Sequence, residues 1–134
     1  MLDWLHKKTP APLRGAPAIR RQKTYSAASG YVYQYYYQGH RRALRASEEG
    51  TEYVFEVWAD RKTAFEVSVF LRDSAVVPWQ QEHQRELISA ERHAIAKMAL
   101  FQAFDEREKP EQMRQEVTVR PADADQILAT LGLD

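Results

Sequence analysis

The segment "GYVYQYYYQGHRR", residues 30–42, places five tyrosines within seven positions and follows them with three basic side chains. Aromatic residues favour strands, and successive side chains of a strand point to opposite faces of the sheet. One face of such a strand carries Tyr31, Tyr33, Tyr35 and Tyr37. The pattern predicts a strand over residues 23–37, weakened at Gly30, whose tyrosine face belongs to the core.

Two later segments alternate in the same way. They are "TEYVFEVWA", residues 51–59, and "TAFEVSVFL", residues 63–71. The short loop at 60–62 predicts that they form an antiparallel hairpin. Joined to the tyrosine row, their apolar faces would make one continuous surface. Its burial, at about 25 cal/mol per Å², is expected to be the largest stabilising contribution.

The opposite face of these strands is half polar, yet it carries one large ring per strand. The three rings are Tyr36, Trp58 and Phe70. Adjacent cross-strand aromatics can stabilise a solvent-facing sheet by themselves. The alternative is an interface with a second copy of the chain, with the N-terminal arm or with a ligand.

A helix is predicted over residues 89–106, with Ser89 as a plausible N-cap. Apolar side chains occupy nearly every side of this helix, which is typical of a helix buried on more than one side. Its alanines would allow close approach by a second helix, the arm or another subunit. Residues 78–88 could add an earlier helical turn beginning at Pro78. Residues 115–120 read as a short strand, and residues 121–132 as a short helix.

Together these elements predict an α+β fold. An antiparallel sheet of three to four strands packs on one long apolar helix, with a short C-terminal helix. Residues 1–22 form a basic, proline-rich N-terminal arm, in which 1–8 could be helical, and residues 23–134 form a single domain. Three prolines and one glycine within 9–22 exclude a helix or a central strand there.

Charge is distributed unevenly along the chain. Residues 1–45 hold nine basic side chains and one acid, a net charge of +8, whereas residues 46–134 hold ten basic and eighteen acidic side chains, a net charge of −8. Such asymmetry can indicate a basic arm for nucleic acid. Nucleic-acid-binding domains are usually basic as a whole, which favours an arm that lies over the acidic part of its own protein.

Several classes of chemistry lack their usual sequence signals. The chain has no cysteine and no asparagine, which excludes disulfides, thiolate metal sites and N-glycosylation. No signal-peptide run or membrane-length apolar segment is present, so the expected location is the cytoplasm. No nucleophile elbow or phosphate-cradling glycine loop occurs. No catalytic residue, resident metal or cofactor is therefore predicted.

The basic cluster after the tyrosines is the best candidate for anion binding. It comprises His40, Arg41, Arg42 and Arg45, and arginine forks suit phosphate or carboxylate. The alternative is a solvated turn whose charges pair with nearby glutamates.

His83 and His93, with glutamates around them, make a metal site conceivable, but a solvated helix flank is favoured. His93 and Lys97 lie on the least apolar side of the predicted helix, which favours their exposure.

Three antiparallel strands followed by a helix resemble the architecture of double-stranded-RNA-binding domains. Such domains also carry a basic loop and a basic helix start. The corresponding segment here, "QQEHQRELISAER", residues 80–92, has no lysine cluster and departs from that pattern.

Three functions follow as hypotheses. The first is a non-catalytic binding or assembly module that forms a homodimer. The second is a nucleic-acid-binding domain that uses the arm and the cluster at 40–45. The third is a small-ligand carrier or enzyme with a tyrosine-lined pocket between the sheet and the helix.

Overall fold

The computed structural model describes residues 11–61 and 63–133, so the predicted helix at 1–8 lies outside the described residues. The elements, in chain order, are β1 (Lys23–Ser26), β2 (Val32–Arg45), β3 (Glu48–Trp58), β4 (Ala64–Arg72), α1 (Asp73–His83), α2 (Ser89–Glu106), a 3-10 helix (Pro110–Arg114), β5 (Val117–Val119) and α3 (Pro121–Thr130). The mixed α+β class is confirmed.

The sheet has five strands in the order β1-β2-β3-β4-β5, where sequence predicted three to four. Neighbours from β1 to β4 pair antiparallel, and the predicted hairpin of β3 and β4 is confirmed. The correction is at β5, which pairs parallel with β4. A parallel neighbour needs a long crossover connection, and the helices between β4 and β5 provide it.

The predicted first strand is two strands. A turn separates them, in which the Ala27 amide donates to the Tyr31 carbonyl at 2.8 Å. Gly30 takes φ +98 there, a conformation that favours glycine. Tyr31 is therefore exposed, whereas Tyr33 and Tyr35 lie in the core, with the Tyr33 ring stacked on Phe104 at 4.1 Å.

β2 and β3 extend well beyond the predicted strand bounds. The two-residue turn Ala46–Ser47 joins them, with φ values of 49 and 68. The added residues on either side of the turn are mostly polar or charged, so they lack the hydrophobic alternation that predicts a strand.

The structure has three α-helices, where sequence predicted one long helix, a short C-terminal helix and a possible early turn from Pro78. The short C-terminal helix is present as α3. α1 begins five residues before Pro78, which lies inside the helix. Only Ala75, Val76 and Trp79 are buried in α1, so its apolar pattern is too weak to predict it. α2 has the predicted bounds, but its N-cap is Ile88, not Ser89, which is its first helical residue. Its buried residues include Ala96, Ala99 and Ala103. The partners of this helix are the sheet, α3 and the 3-10 helix.

A β-bulge at Gln38 changes which face of the sheet the basic residues occupy. Tyr37 pairs with Phe55, and the next ladder pair is Gly39 with Val54, so one residue of β2 has no partner. Every side chain after a one-residue insertion lies on the other face of the sheet. His40 and Arg42 consequently join the tyrosine face, while Arg41 and Arg45 lie on the opposite face.

The N-terminal arm crosses β2 immediately after this bulge. The backbones of Arg14 and His40 exchange two hydrogen bonds, of 2.8 and 2.9 Å. A Cβ atom on Gly39, where φ is +132, would lie 2.6 Å from the Arg14 carbonyl oxygen. Glycine is therefore required at this position for the arm to approach so closely.

Residues of β1 and of the β1–β2 turn donate hydrogen bonds to acceptors at the C-terminal end of α2. Asp105 accepts hydrogen bonds from the Tyr25 hydroxyl at 2.7 Å and from the Ala28 amide at 2.8 Å. The Ser29 hydroxyl donates to the Phe104 carbonyl. A carboxylate near a helix C-terminus opposes the helix dipole, and these donors compensate for it.

Candidate functional site

A cavity of about 560 Å³ lies between the arm, the tyrosine face of the sheet and the start of α2. We call it the basic chamber. Its charged or titratable lining residues are Arg14, His40, Arg41, Arg42, Arg92 and His93, together with the hydroxyl groups of Tyr37, Thr51, Tyr53 and Ser89. None of the described residues that line it is acidic.

Two of these arginines have no carboxylate partner among the described residues. The Arg92 guanidinium donates to the Gln80 side chain at 3.1 Å and to the Leu87 carbonyl at 3.4 Å, both neutral acceptors. The exposed side chain of Arg14 makes no hydrogen bond or ion pair with the described residues, although its backbone is paired. Neither guanidinium forms an ion pair with the described residues, although the charge of Arg92 helps to lower the pKa of Asp73.

Arg42 is held by an acidic side chain outside the chamber. Its guanidinium makes a bidentate pair with Asp73, at 2.8 and 2.5 Å, and donates to the Thr51 hydroxyl at 3.1 Å. Hydrogen bonding to Arg42, despite some burial, lowers the pKa of Asp73. This pair fixes the side-chain position of Arg42 and offsets part of its charge.

The N-terminus of α2 adds a further positive potential. Ser89 and Ala90, its first two residues, line the chamber. The first amide groups of a helix have no acceptor within the helix, and the helix dipole favours anions at that end. The arginines and the helix end therefore border the same cavity, although Glu91 in the first turn accepts the Ile88 amide and offsets part of the positive potential of the helix end.

Four rings form one wall of the chamber. The Tyr37 hydroxyl and His40 Nδ1 are 3.0 Å apart, and the His93 ring meets Tyr37 edge-on with 4.4 Å between centroids. Burial raises the pKa of Tyr37 to about 12, with a smaller contribution from Tyr53. Burial also raises the pKa of Tyr53 to about 12, against the opposing effect of Arg92 and Arg42. Both hydroxyls stay protonated at neutral pH, and that of Tyr37 is already paired with His40.

His93 is half-buried, contrary to the predicted exposure. Burial lowers its pKa, and the positive charge of Lys97 and the neighbouring His40 lower it further. The sequence pattern missed this because the side of α2 with the fewest apolar residues faces the tyrosine wall under the arm.

A second cavity, of about 450 Å³, adjoins the first. We call it the apolar chamber, and the two chambers together the cleft. The chambers share Tyr37 and His93 as walls. The other residues that line the apolar chamber are Pro17, Ala18, Ile19, Arg21, Lys23, Tyr35, Phe55 and Lys97. Here too, no acidic side chain is among the described lining residues.

The structure divides the predicted anion cluster between the two faces of the sheet. His40 and Arg42 line the basic chamber, and Arg41 reaches its rim, where it donates to the Ala11 carbonyl at 3.4 Å. Arg45 lies elsewhere and pairs with Glu116 at 2.9 Å and with Glu52 at 3.3 Å. The expected alternative was a turn whose charges pair with Glu48, Glu49 and Glu52. The residues lie on a strand instead, and Glu52 is the only one of these glutamates that pairs with Arg41 and Arg45 in the described residues.

Glu52 is the shared acidic partner of the basic side chains on the opposite face of the sheet. It is almost fully buried and accepts hydrogen bonds from Arg41 at 2.8 Å and from Ser68 at 2.6 Å. Burial opposes its charge, but the hydrogen bonds from Arg41 and Ser68 and the charges of Arg41 and Arg45 outweigh it, so the pKa of Glu52 is lowered. Arg41 and Arg45 thus have a structural partner.

The three predicted interface rings have different environments. Phe70 is fully buried. Its ring lies over Gly50, so close that a Cβ atom added to that glycine would be 2.7 Å from a ring carbon. The Arg45 guanidinium covers the ring, 5.3 Å from its centroid. Arg20 stacks on the Tyr36 ring at 4.0 Å. Trp58 is partly exposed and donates to Glu56 at 3.3 Å. Only Tyr36 and Trp58 retain accessible ring surface.

Sequence reasoning missed two residues of the basic chamber, Arg14 and Arg92. The arm pairs with a strand 26 positions away in sequence, and no local pattern predicts such pairing. Arg92 lies in the first turn of α2, where a basic residue is unfavourable to the helix dipole. This unfavourable position in the helix is the one feature of the sequence that could have indicated a functional role for Arg92.

The described residues contain no group of three or more histidine or acidic side chains that could hold a metal ion. His83 stacks on Trp79 at 4.1 Å in α1 and does not meet His93. Within the described part of the chain, no helix combines the length and apolar character needed to cross a bilayer.

Comparisons with protein-family models, curated proteins and solved structures give no significant match.

Proposed function

We propose that this protein binds a small anion, a carboxylate or a phosphate, in the basic chamber. The observation that carries the proposal is the sign of the lining: arginines, histidines and a helix N-terminus converge on one cavity without an acidic side chain among its described walls. The chain as a whole carries equal numbers of acidic and basic side chains. A site of this kind corresponds to the third sequence-based hypothesis, a small-ligand carrier.

The chemistry of the chamber suits binding by several donors at once. Arginine offers paired N–H donors to planar or tetrahedral oxyanions, and hydrogen bonds to a charged acceptor are the strong ones. The chamber volume lies within the range of about 300–1,000 Å³ for small-molecule sites. Partial enclosure by the arm lowers the effective dielectric and strengthens these contacts.

Titration of 15N-labelled protein with inorganic phosphate and with succinate at low salt tests the proposal. The ring resonances of His40 and His93 and the amides of Ser89 and Ala90 are expected to shift, with Kd in the millimolar range. Replacing Arg92 or Arg14 by Gln removes one unpaired cation and is expected to weaken binding by roughly tenfold.

Arg114→Gln is the matched control. It removes the same charge from a residue outside the cleft, where Arg114 covers the Phe65 ring at 4.6 Å. Binding by this variant should stay within about twofold of the native protein. Thermal melting of each variant checks that it folds. The proposal fails if neither anion shifts these resonances, or if all three variants bind alike. Tight single-stranded RNA binding with a steep salt dependence would instead favour the nucleic-acid hypothesis.

A homodimer is the second candidate, and one observation favours it. Val32 is 45% exposed on the face opposite the tyrosines, and Gln34, which pairs with the partly exposed Trp58, follows on the same face. Val32 and Trp58 therefore leave apolar surface accessible on this face, beside Tyr36, whose ring Arg20 covers. We call Val32 and Trp58 the apolar patch. Self-association through this patch is a prediction that a molar-mass measurement tests.

A further inference from the structure

The basic chamber is much larger than a phosphate or a carboxylate, and its neighbour offers different chemistry. The apolar chamber is floored by Tyr35, Phe55 and Tyr37, and is covered by Pro17, Ala18 and Ile19 of the arm. Chambers that share the walls Tyr37 and His93 can serve two parts of one molecule.

We propose that the anion bound in the basic chamber carries an aromatic group, and that this group occupies the apolar chamber. The inference rests on the proposed function, because the anionic part of the ligand fixes its orientation. The ligand class is therefore an aryl or arylalkyl carboxylate or phosphate.

Ring geometry favours an aromatic group over an aliphatic chain. The His93 ring already meets Tyr37 edge-on at 4.4 Å, and Tyr37 meets Phe55 at 5.4 Å. A further ring beside them would extend a cluster that contains one edge-on pair and one tilted pair, and aromatic pairs contribute free energy beyond the area that they bury. Lys97, which lines the chamber, makes a cation–π contact with Phe101, with its Nζ 5.9 Å from the ring centroid. It can make the same kind of contact with a ring of the ligand.

Ile19 gives the second argument. Its side chain is 67% exposed although it lies on the arm directly beside the apolar chamber. An aromatic group in that chamber would cover it and remove apolar surface of both partners from water. The charges at the margin, Arg21, Lys23 and Lys97, would at the same time favour a ligand with a net negative charge.

A series of phosphates tests the inference in the full chain: inorganic phosphate, phenyl phosphate, 1-naphthyl phosphate and hexyl phosphate. We expect 1-naphthyl phosphate to bind at least about thirtyfold more tightly than inorganic phosphate, with phenyl phosphate between them. The His93 ring protons, at the boundary of the chambers, should shift further with the aryl phosphates because of the ring current.

Two variants with matched exposure locate the aromatic group. Ile19→Ala should weaken 1-naphthyl phosphate binding by about threefold and leave inorganic phosphate unchanged. Leu44→Ala removes a similarly exposed side chain (61%) outside the cleft, and it should change neither affinity.

Failure of this inference can be distinguished from failure of the proposed function. If inorganic phosphate binds in an Arg92-dependent manner but the aryl group adds nothing, the aromatic inference is overturned and anion binding stands. Equal affinity for hexyl and 1-naphthyl phosphate, or equal effects of Ile19→Ala and Leu44→Ala, also overturns it. If none of the phosphates binds, both proposals fall.

Discussion

His93 illustrates how far a single residue can be predicted from its neighbours in sequence. Its place in α2 was predictable, because the helix itself was. Its burial was not, since the arm and the tyrosine wall that enclose it come from distant parts of the chain. Helical periodicity describes only the helix, whereas exposure depends on everything that packs against it.

The same burial makes stability sensitive to acid. The groups that face His93 are Lys97 and Arg92 on α2, His40 and Tyr37 on β2, and Tyr53 on β3. Because its folded-state pKa lies below the ordinary 6.5, folding favours the neutral form. The free energy of unfolding should therefore be independent of this group well above pH 6.5 and should fall as pH drops below it.

Thermal melting at pH 7.5 and 5.5 checks this prediction. The loss of melting temperature between the two values should be smaller in His93→Gln than in the native protein. His83→Gln, which removes a histidine outside the cleft, should retain the native loss. An unchanged pH dependence in His93→Gln would contradict the assignment.

Among the elements, β2 shows most clearly what a pattern can and cannot predict. Its tyrosine row was predictable from alternation, and Tyr33 and Tyr35 are in the core as expected. The bulge was not, because a single unpaired residue leaves no compositional trace beyond the neighbouring glycine. The cluster at 40–45 was predicted as one site because the strand was expected to end at Tyr37. Strand alternation divides its members between two faces, and the bulge determines which face each one takes.

Gly39→Ala tests how much the crossing of arm and β2 contributes. The added Cβ would lie 2.6 Å from the Arg14 carbonyl, at φ +132. Strain of this kind costs about 1–3 kcal/mol, and the arm should detach locally. Urea unfolding measures the cost.

Gly132→Ala is the control for Gly39→Ala. Gly132 also has a positive φ, +76, but a Cβ there meets nothing within 4 Å. Its cost should reflect backbone strain alone and should be clearly smaller. Equal costs would mean that the close approach of the arm contributes nothing.

At the scale of the whole molecule, part of the uneven charge distribution is compensated by ion pairs within the chain. Arg20 pairs with Glu56, Arg42 with Asp73, and Arg45 with Glu116. Arg20 is the arm residue among these three, whereas Arg42 and Arg45 belong to β2, and the cleft that the arm covers has no acidic side chain among its described lining residues. What composition could not predict is that Arg14 and Arg92, one from each part, would be left facing a cavity.

The homodimer prediction also belongs at this scale. Light scattering after gel filtration should give twice the chain mass at both low and high salt, because an apolar contact is insensitive to salt. Trp58→Ala should lower that mass towards the monomer, whereas Leu44→Ala, which truncates an exposed side chain elsewhere, should not. A monomer at every concentration would rule out self-association and leave the patch on Val32 and Trp58 without a partner.

The contact between Arg14 and His40 has a consequence for access to the cleft. β1 pairs only with Val32–Tyr35, so beyond that point the backbone of β2 is at the margin of the sheet, and the arm covers it at His40. Lifting the arm to admit a large molecule would expose unpaired strand backbone, which readily recruits other chains and promotes aggregation. Ligand access and solubility are therefore linked. A molecule that enters while the arm stays paired with β2 leaves the strand edge covered, whereas one that displaces the arm exposes that edge and favours aggregation.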